Sequence, residues 1–176
     1  YIAIDDFAWE TINENDAPVL VSASPADDAT AIATSSNIVL TFNECIAFGT
    51  GNIQVIDLTD GSNSFTIDVT SPGSQASISN NVLTINPSSN LDDNSNYAVQ
   101  IANTAITDQG AIAYAGISDN TTLNFTTADE TGPKINSSGV TFNNTYVDIT
   151  FNEGVYNTNG GNGALEASDF SLALSG

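Results

Sequence analysis

Apolar and polar residues alternate along IVLTFNE, residues Ile38–Glu44, and such alternation is typical of a β-strand with one buried face. The last four letters, Thr41–Glu44, return at Thr150–Glu153, 109 residues later. Pro18 and Pro133, which precede the two copies, lie 115 residues apart. This period is the size of a small β-sandwich domain, so the chain is predicted to consist of tandem modules.

The second copy of the pattern has less room than the first, because it begins at about Asp129 in a chain of 176 residues. We therefore expect three segments of a longer protein. Residues 1–15 would be the closing strand of a preceding β-sandwich with its linker, and the strand itself is predicted at Ile2–Trp9. Residues 16–128 would form one complete module, and residues 129–176 the N-terminal part of a second one.

The charge of the chain excludes several classes of function. Twenty-one Asp and Glu stand against one basic residue, Lys134, for a net charge of −20. Binding to nucleic acid, or to anionic lipid through a basic patch, is not expected without Lys and Arg. No apolar run approaches the length of a membrane span, so membrane insertion is not expected either. The chain has no His, so the one catalytic alternative is a carboxylate pair of the glycosidase kind, and we expect no enzyme.

The complete module is predicted to contain short strands separated by turn residues, and no window indicates an amphipathic helix. Asn80-Asn81 indicates a two-residue hairpin, and a short turn is expected near Thr104–Gln109. Tyr97 is either the first residue of an ordinary strand or a tyrosine corner, whose hydroxyl bonds back to upstream backbone. The predicted strands are Val19–Ala23, Asn37–Phe42, Asn52–Leu58, Ser64–Thr70, Ala76–Ser79, Val82–Ile85, Tyr97–Ala102 and Leu123–Thr127, followed in the second module by Val140–Phe142, Tyr146–Phe151 and Phe170–Leu174.

The two TFNE strands are also expected to have the same faces. Ile38, Leu40 and Phe42 would point into the core of the first module, with Val39 and Thr41 on the opposite face. In the second module the corresponding inward residues would be Val147, Ile149 and Phe151. The two copies are therefore predicted to be the same strand of the same fold.

The run Asp16–Thr30, DAPVLVSASPADDAT, resembles the opening of bacterial Ig-like domains of the S-layer type. In that family an acidic linker with Pro leads to a Ser-Pro-Ala-Asp turn and then to a strand like Ile38–Glu44. Leu123–Thr127 resembles the closing strand of the family. Ile106–Gly110 resembles a loop that ends in Gly-Asn, but Ala111 stands in the place of the Asn. The resemblance covers residues 16–128 and implies an all-β, Ig-like Greek-key sandwich.

The resemblance also implies where such a chain would work. These domains occur as spacers in large secreted or surface-anchored bacterial proteins, so we expect a non-catalytic extracellular module with a structural or adhesive role. Its partners would be neighbouring domains of the same chain, like subunits or surface glycans. Two alternatives remain: an accessory region of a secreted polysaccharide-degrading enzyme, and a self-assembling fibre subunit that exchanges strands.

Calcium is the ligand that the acidic residues favour, because Ca²⁺ is bound by carboxylate and carbonyl oxygens. Glu44 and Glu153 end matching strands, near which the acids of the linkers should also lie, and a shared cation would stiffen the linker. The alternative is that all these acids are solvated, or cap turns. Asp57-x-x-Asp60 and Asp92-Asp93 are further oxygen-rich turns. The predicted calcium ligands are Asp16, Glu44, Asp108, Asp119, Asp129 and Glu153.

Overall fold

The computed structural model describes residues 16–140, 147–156, 163–166 and 169. The strands predicted at Ile2–Trp9 and Phe170–Leu174, and most of the loop between residues 157 and 163, lie outside the described residues. Contacts divide the chain into two compact units, Tyr1–Glu130 and Thr131–Gly176. The division thus falls just beyond the predicted boundary between residues 128 and 129.

The described residues contain strands and no α-helix, and no segment among them is a helix of the length and apolarity needed to cross a membrane. The strands are β1 (Leu20–Ser24), β2 (Ala29–Ile32), β3 (Ile38–Phe42), β4 (Ile46–Phe48), β5 (Asn52–Asp57), β6 (Phe65–Asp68), β7 (Ala76–Ser79), β8 (Val82–Ile85), β9 (Asn96–Ile101), β10 (Ile106–Asp108), β11 (Asn124–Thr127), β12 (Ile135–Val140) and β13 (Val147–Phe151).

The first unit is a sandwich of two sheets. One sheet has the order β1-β3-β8-β7 and the other the order β2-β11-β9-β5-β6, while β10 and β4 form a separate pair. The chain thus passes from the first sheet at β1 to the second at β2, where β2 runs parallel to β11. This is the strand order of an Ig-like sandwich with an extra edge strand, so the predicted all-β Greek-key fold is confirmed.

Alternation along β3 places the core as predicted. Ile38 and Leu40 are fully buried and Phe42 is 1% exposed, while Val39 and Thr41 are half-buried. Phe42 contacts the ring of Tyr114 edge-on, with centroids 5.2 Å apart. The opposite sheet contributes the second half of the core: Ile53, Val55, Tyr97, Val99, Ile101 and Phe125.

Tyr97 forms a tyrosine corner, which settles the two interpretations of this residue. The amide of Asp92 donates a hydrogen bond to the Tyr97 hydroxyl oxygen at 2.9 Å. The ring is fully buried and stacks on Phe125, with centroids 5.9 Å apart. Leu91 is buried as well, at 4% exposure. The connection between β8 and β9 is thereby held against the first residues of β9.

The two ends of the first unit are distinguished by the chain itself. At the entry pole, Leu20 of β1 pairs with Phe42 at the end of β3. At the opposite end, which we call the exit pole, Thr34 precedes β3 and its carbonyl accepts from the amide of Leu91 at 2.9 Å. The side chain of Glu130 accepts from the Thr34 hydroxyl at 2.7 Å. The chain therefore enters and leaves this unit at opposite poles.

Several strands differ from prediction. The sequence predicts β7 and β8 with their observed bounds, and Asn80 joins them with a positive φ of 54°. The short strands β2, β4 and β10 are not predicted, and Ile106–Asp108 is a strand where a turn is expected near Thr104–Gln109. β4 and β10 have three residues each, too few to show alternation, and in β2 the residues ATAI do not alternate clearly between apolar and polar.

The second unit differs from prediction in two respects. Of the strand expected at Val140–Phe142, only Val140 is among the described residues, and there it ends β12, which begins at Ile135 because backbone pairing with β13 extends through polar residues. Val147 and Ile149, predicted to face a core, are 55% and 40% exposed. In this unit β12 and β13 form a two-stranded sheet, and the unit's described residues contain no further strand that could cover the apolar face of that sheet.

Candidate metal centre

The predicted calcium ligands Asp16 and Glu44 lie at the entry pole. Asp16 is exposed and precedes β1, whereas Glu44 is half-buried and follows β3. Between them, the side-chain oxygen of Asn43 accepts from the amide of Val19 at 2.7 Å, and the Asn43 amide donates to the Val19 carbonyl at 3.0 Å. This pair of hydrogen bonds holds the incoming chain beside the end of β3.

Asp108 also lies at the entry pole. It ends β10 and pairs with Ile46 of β4, two residues after Glu44. The side chain is 4% exposed, and its Oδ1 accepts from the amide of Ile112 at 2.7 Å. Its Oδ2 is buried and accepts no hydrogen bond. Asp108 therefore closes the turn that follows β10, with one carboxylate oxygen still unsatisfied.

Asp119 caps a turn. Its two carboxylate oxygens accept from the amides and hydroxyls of Thr121 and Thr122, at 2.8 to 2.9 Å. These bonds, the one from the Thr121 amide first, lower the pKa of Asp119 to about 2. All four bonds stabilise the ionised form. Asp119 therefore caps a turn, which is the alternative to calcium binding that the sequence analysis gave for these acids.

The remaining predicted ligands lie elsewhere. Asp129 is exposed where the first unit ends, and Glu153 follows β13 in the second unit. Among the residues that the structure describes, none of the six predicted ligands belongs to a set of three acids close enough to hold one ion. Calcium at these positions stays a prediction.

A different set of acids does come together, at the exit pole. One carboxylate oxygen each from Asp57, Asp60 and Asp92 lies within 4.8 Å of the other two. Asp57 is the last residue of β5, and Asp60 lies three residues later in the loop to β6. Asp92 belongs to the tyrosine corner. Because Asp57 pairs with Tyr97 across the sheet, the register of β5 on β9 brings the two loops into contact.

Hydrogen bonds within the loops orient these side chains. The Asp92 carboxylate accepts from the Ser62 hydroxyl and from the Asn63 side-chain amide, each at 3.0 Å. Oδ1 of Asp60 accepts from the Ser62 amide at 2.8 Å. The hydroxyl and then the amide of Ser62 lower the pKa of Asp60, so this exposed group stays ionised.

Asp57 is the buried member of the group. Its side chain is 3% exposed, and its Oδ1 accepts from the Thr59 amide at 2.8 Å. Its Oδ2 is buried and accepts no hydrogen bond. The sequence indicates each of these turns as rich in oxygen but contains no sign that they meet. Only the pairing of Asp57 with Tyr97 across β5 and β9 indicates that the two turns are neighbours, and that pairing is not visible in either segment alone.

A shallow depression of about 540 Å³ lies on the outer face of the β5–β9 pair, toward the entry pole. Its lining includes the amide side chains of Asn52, Gln54, Gln100 and Asn103, and no acidic residue. Gln100 donates to the side chain of Asn120 at 2.8 Å. The depression offers amide donors and acceptors, and its lining contains no carboxylate pair for acid–base chemistry.

Comparison with known proteins agrees with the architecture. A search of curated proteins found no match to the chain. The family model described as bacterial Ig-like domain matches residues 14–127, which is more than half of the chain and nearly all of the sandwich. Together with the observed strand order, this match shows that the chain belongs to the bacterial Ig-like domain family.

Proposed function

We propose that the chain is a non-catalytic, extracellular structural or adhesive segment of a long bacterial surface or filamentous protein built from Ig-like modules. The observation that carries the proposal is that the first two strands of the second unit pair as β1 and β3 of the first unit do, with the same hydrogen bonds made by the repeated Asn. Two domain-sized units that begin alike in one chain favour a modular array. The proposal covers localisation and role, which the family alone leaves open.

The repeat is visible in the pairing of backbone groups. β12 pairs with β13 from Ile135 opposite Phe151, with an irregularity before Ser137. β1 pairs with β3 from Leu20 opposite Phe42, with the same irregularity before Ser22. The repeated Asn behaves identically in both units, because Asn152 bonds to the amide and carbonyl of Lys134 as Asn43 does to those of Val19.

The first unit also has the geometry that a serial array requires. Its chain enters at one pole and leaves at the other, so that further modules could follow without crossing its faces. Edge strands are short, and the surface is strongly acidic, which keeps neighbouring chains apart in solution. These features favour a spacer or scaffold over a compact enzyme.

Labelling of intact cells tests the localisation. Antibodies raised against the full chain should bind unpermeabilised cells of the source bacterium, or extracellular filaments shed from them. Brief protease treatment of the intact cells should remove that signal. Labelling only after permeabilisation would contradict the proposal, and a cytoplasmic enzyme marker in the same samples controls for lysis.

The amide-lined depression supports the second candidate, a glycan-binding accessory region of a secreted polysaccharide-degrading enzyme. Amide side chains provide paired donors and acceptors for sugar hydroxyls. Retention of the full chain on insoluble polysaccharides, reduced by Gln54→Ala and by Gln100→Ala, would favour this candidate. Passage of the wild-type chain through every polysaccharide without delay would count against it.

Strand exchange between subunits remains a third candidate, supported by the apolar residues that β12 and β13 expose. Val140 and Val147 are paired across the hairpin and are 64% and 55% exposed. Such a face favours association with a further β-layer. Size-exclusion chromatography with light scattering over a range of concentrations tests it, and a monomer at the highest concentration would count against exchange.

A further inference from the structure

The loop between β5 and β6 and the loop between β8 and β9 meet at the exit pole through three carboxylates. We propose that Asp57, Asp60 and Asp92 form a binding site for one divalent cation of the Ca²⁺ class. The site lies at the opposite pole from Glu44 and Asp108, two of the sequence-predicted ligands. The proposal goes beyond the structural role and does not depend on it, since it concerns residues of the first unit alone.

The buried Asp57 carboxylate carries the argument. A carboxylate buried without a full set of partners is destabilising, because the ion has lost its hydration. Oδ1 of Asp57 is bonded to the Thr59 amide, but Oδ2 has no hydrogen-bond donor. One carboxylate oxygen each of Asp60 and Asp92 lies within 4.8 Å of an oxygen of Asp57, and three ionised carboxylates at this separation repel one another. A cation bound between the three carboxylates would replace their mutual repulsion by attraction to the ion.

Hydrogen bonds inside the loops do not account for the arrangement. Ser62 and Asn63 donate to Asp60 and Asp92, and they would hold those two side chains whether or not an ion binds. They do not donate to Oδ2 of Asp57. Each carboxylate offers about four lone-pair sites, so the bonded oxygens of Asp60 and Asp92 can still coordinate.

The donor set favours calcium over other metals. All three side chains offer hard oxygen ligands, and the group contains no nitrogen or sulfur ligand of the kind that transition metals prefer. Ca²⁺ accepts irregular sets of carboxylates, completed by carbonyl oxygens and water, whereas Mg²⁺ demands near-octahedral geometry. Burial, followed by the negative charge of these acids, raises the pKa of the neighbouring Tyr97, in keeping with a negative potential at this pole.

A bound ion would link parts of the first unit that are now joined by side-chain hydrogen bonds from Ser62 and Asn63. It would fasten the β5–β6 loop to the tyrosine corner. The same corner is bonded to the last strand, because the Thr127 hydroxyl donates to the Asp92 carbonyl at 2.7 Å. The backbone of Glu130 in turn donates to the Asp93 side chain. Calcium would therefore order the segment through which the chain leaves the unit.

Thermal melting of the full chain tests binding. The protein is stripped with EDTA and melted with CaCl₂, with MgCl₂, or with NaCl at equal ionic strength. At Ca²⁺ tenfold above its Kd, Tm should rise by about 5 °C over the NaCl sample. Equal melting temperatures in Ca²⁺ and NaCl would overturn the proposal, and so would an equal rise in Mg²⁺.

Two substitutions locate the ion. Asp60→Asn changes an exposed side chain and should abolish the rise in Tm caused by Ca²⁺. Asp108→Asn is the control, because Asp108, like Asp57, is a buried aspartate with an unbonded oxygen but lies at the entry pole. It should keep the full response. Any pattern other than selective loss in Asp60→Asn overturns the assignment, including a response retained in both variants, which would mean adventitious binding to surface acids.

Asp57→Asn separates a cation site from a purely structural cluster. The amide oxygen can still accept from Thr59, and one of three repelling charges is removed. Without Ca²⁺ the Tm should be at least that of the wild type, and added Ca²⁺ should no longer raise it. A rise that persists in this variant would overturn the proposal. If the variant does not fold, Asp60→Asn decides the question alone.

Terbium gives a second readout of position. Tb³⁺ takes the oxygen ligands of Ca²⁺, and its emission is sensitised by a nearby aromatic ring. Tyr97 touches the site through its bond to the Asp92 amide. Emission should appear with the wild-type chain, fall on addition of Ca²⁺ and be lost in Tyr97→Phe. Failure of Ca²⁺ to displace the signal, or its survival in Tyr97→Phe, would overturn the placement.

Discussion

At the scale of single residues, the sequence identifies the side chains that turns favour, and the structure shows a turn position that holds an unfavourable residue. Ala111 follows the β10 strand with a φ of 66°, in the left-handed region, and is exposed. Alanine is unfavourable there because its Cβ approaches the carbonyl oxygen, whereas asparagine tolerates it. Ala111, which stands where the family pattern has Asn, therefore adopts a strained backbone conformation.

Replacing Ala111 by Asn should therefore stabilise the first unit. The expected gain in the free energy of unfolding is about 1 kcal/mol, since the left-handed strain is relieved. Urea denaturation measures it. Ala113→Asn is the control, because Ala113 is also exposed but its φ is not positive. A gain of the same size in the control, or none in Ala111→Asn, would contradict the explanation.

Asp119 links stability to pH. Its pKa is about 2 in the folded chain, below its ordinary 3.8, so the ionised form stabilises the fold. That contribution is complete above about pH 4 and is lost as the pH falls from there to about 2. In Asp119→Asn, Tm should fall less steeply over this range than in the wild type.

The slope should decrease without disappearing, because the Thr70 hydroxyl and amide likewise lower the pKa of Asp68. Asp148→Asn, which changes an exposed acid on β13, reports the effect of losing one negative charge. Parallel Tm profiles for Asp119→Asn and the wild type between pH 4 and 2 would refute the assignment.

At the scale of elements, alternation of apolar residues predicted most strands of the first sheet well. β3, β7 and β8 lie where the pattern placed them, because each has a buried face that must be apolar. β2 was missed because it pairs with β11 at an edge, where ATAI has little pattern of its own. β2 is a strand because it pairs with β11, and a short stretch of sequence around β2 carries no information about that pairing.

The Asn of TFNE is predicted to stabilise the entry of each unit. Asn43→Ala removes the acceptor of the Val19 amide and should lower the free energy of unfolding by about 1 kcal/mol. Asn43→Asp keeps the acceptor oxygen and should recover most of the loss. Chemical denaturation of the three proteins measures the difference. Equal losses in both variants would show that the hydrogen bond to Val19 is not the cause.

At the scale of the whole molecule, charge dominates the behaviour in solution. A net charge of −20 makes the folded chain repel itself, and salt screens that repulsion over a few ångströms at molar concentration. Tm should therefore rise as NaCl increases from low to molar concentration. The same rise is expected with KCl, since screening does not depend on the cation. A Tm that falls with added salt would contradict this prediction.

The sequence by itself determined the fold class, the faces of the main strands and the repeat, because burial selects apolar residues at every second position of a strand. Only the tertiary structure decided which acids meet. Asp57 and Asp92 are far apart in the chain, and the pairing of β5 with β9 brings them together at the exit pole. Register is a property of two strands at once, so no single segment of sequence could reveal that group.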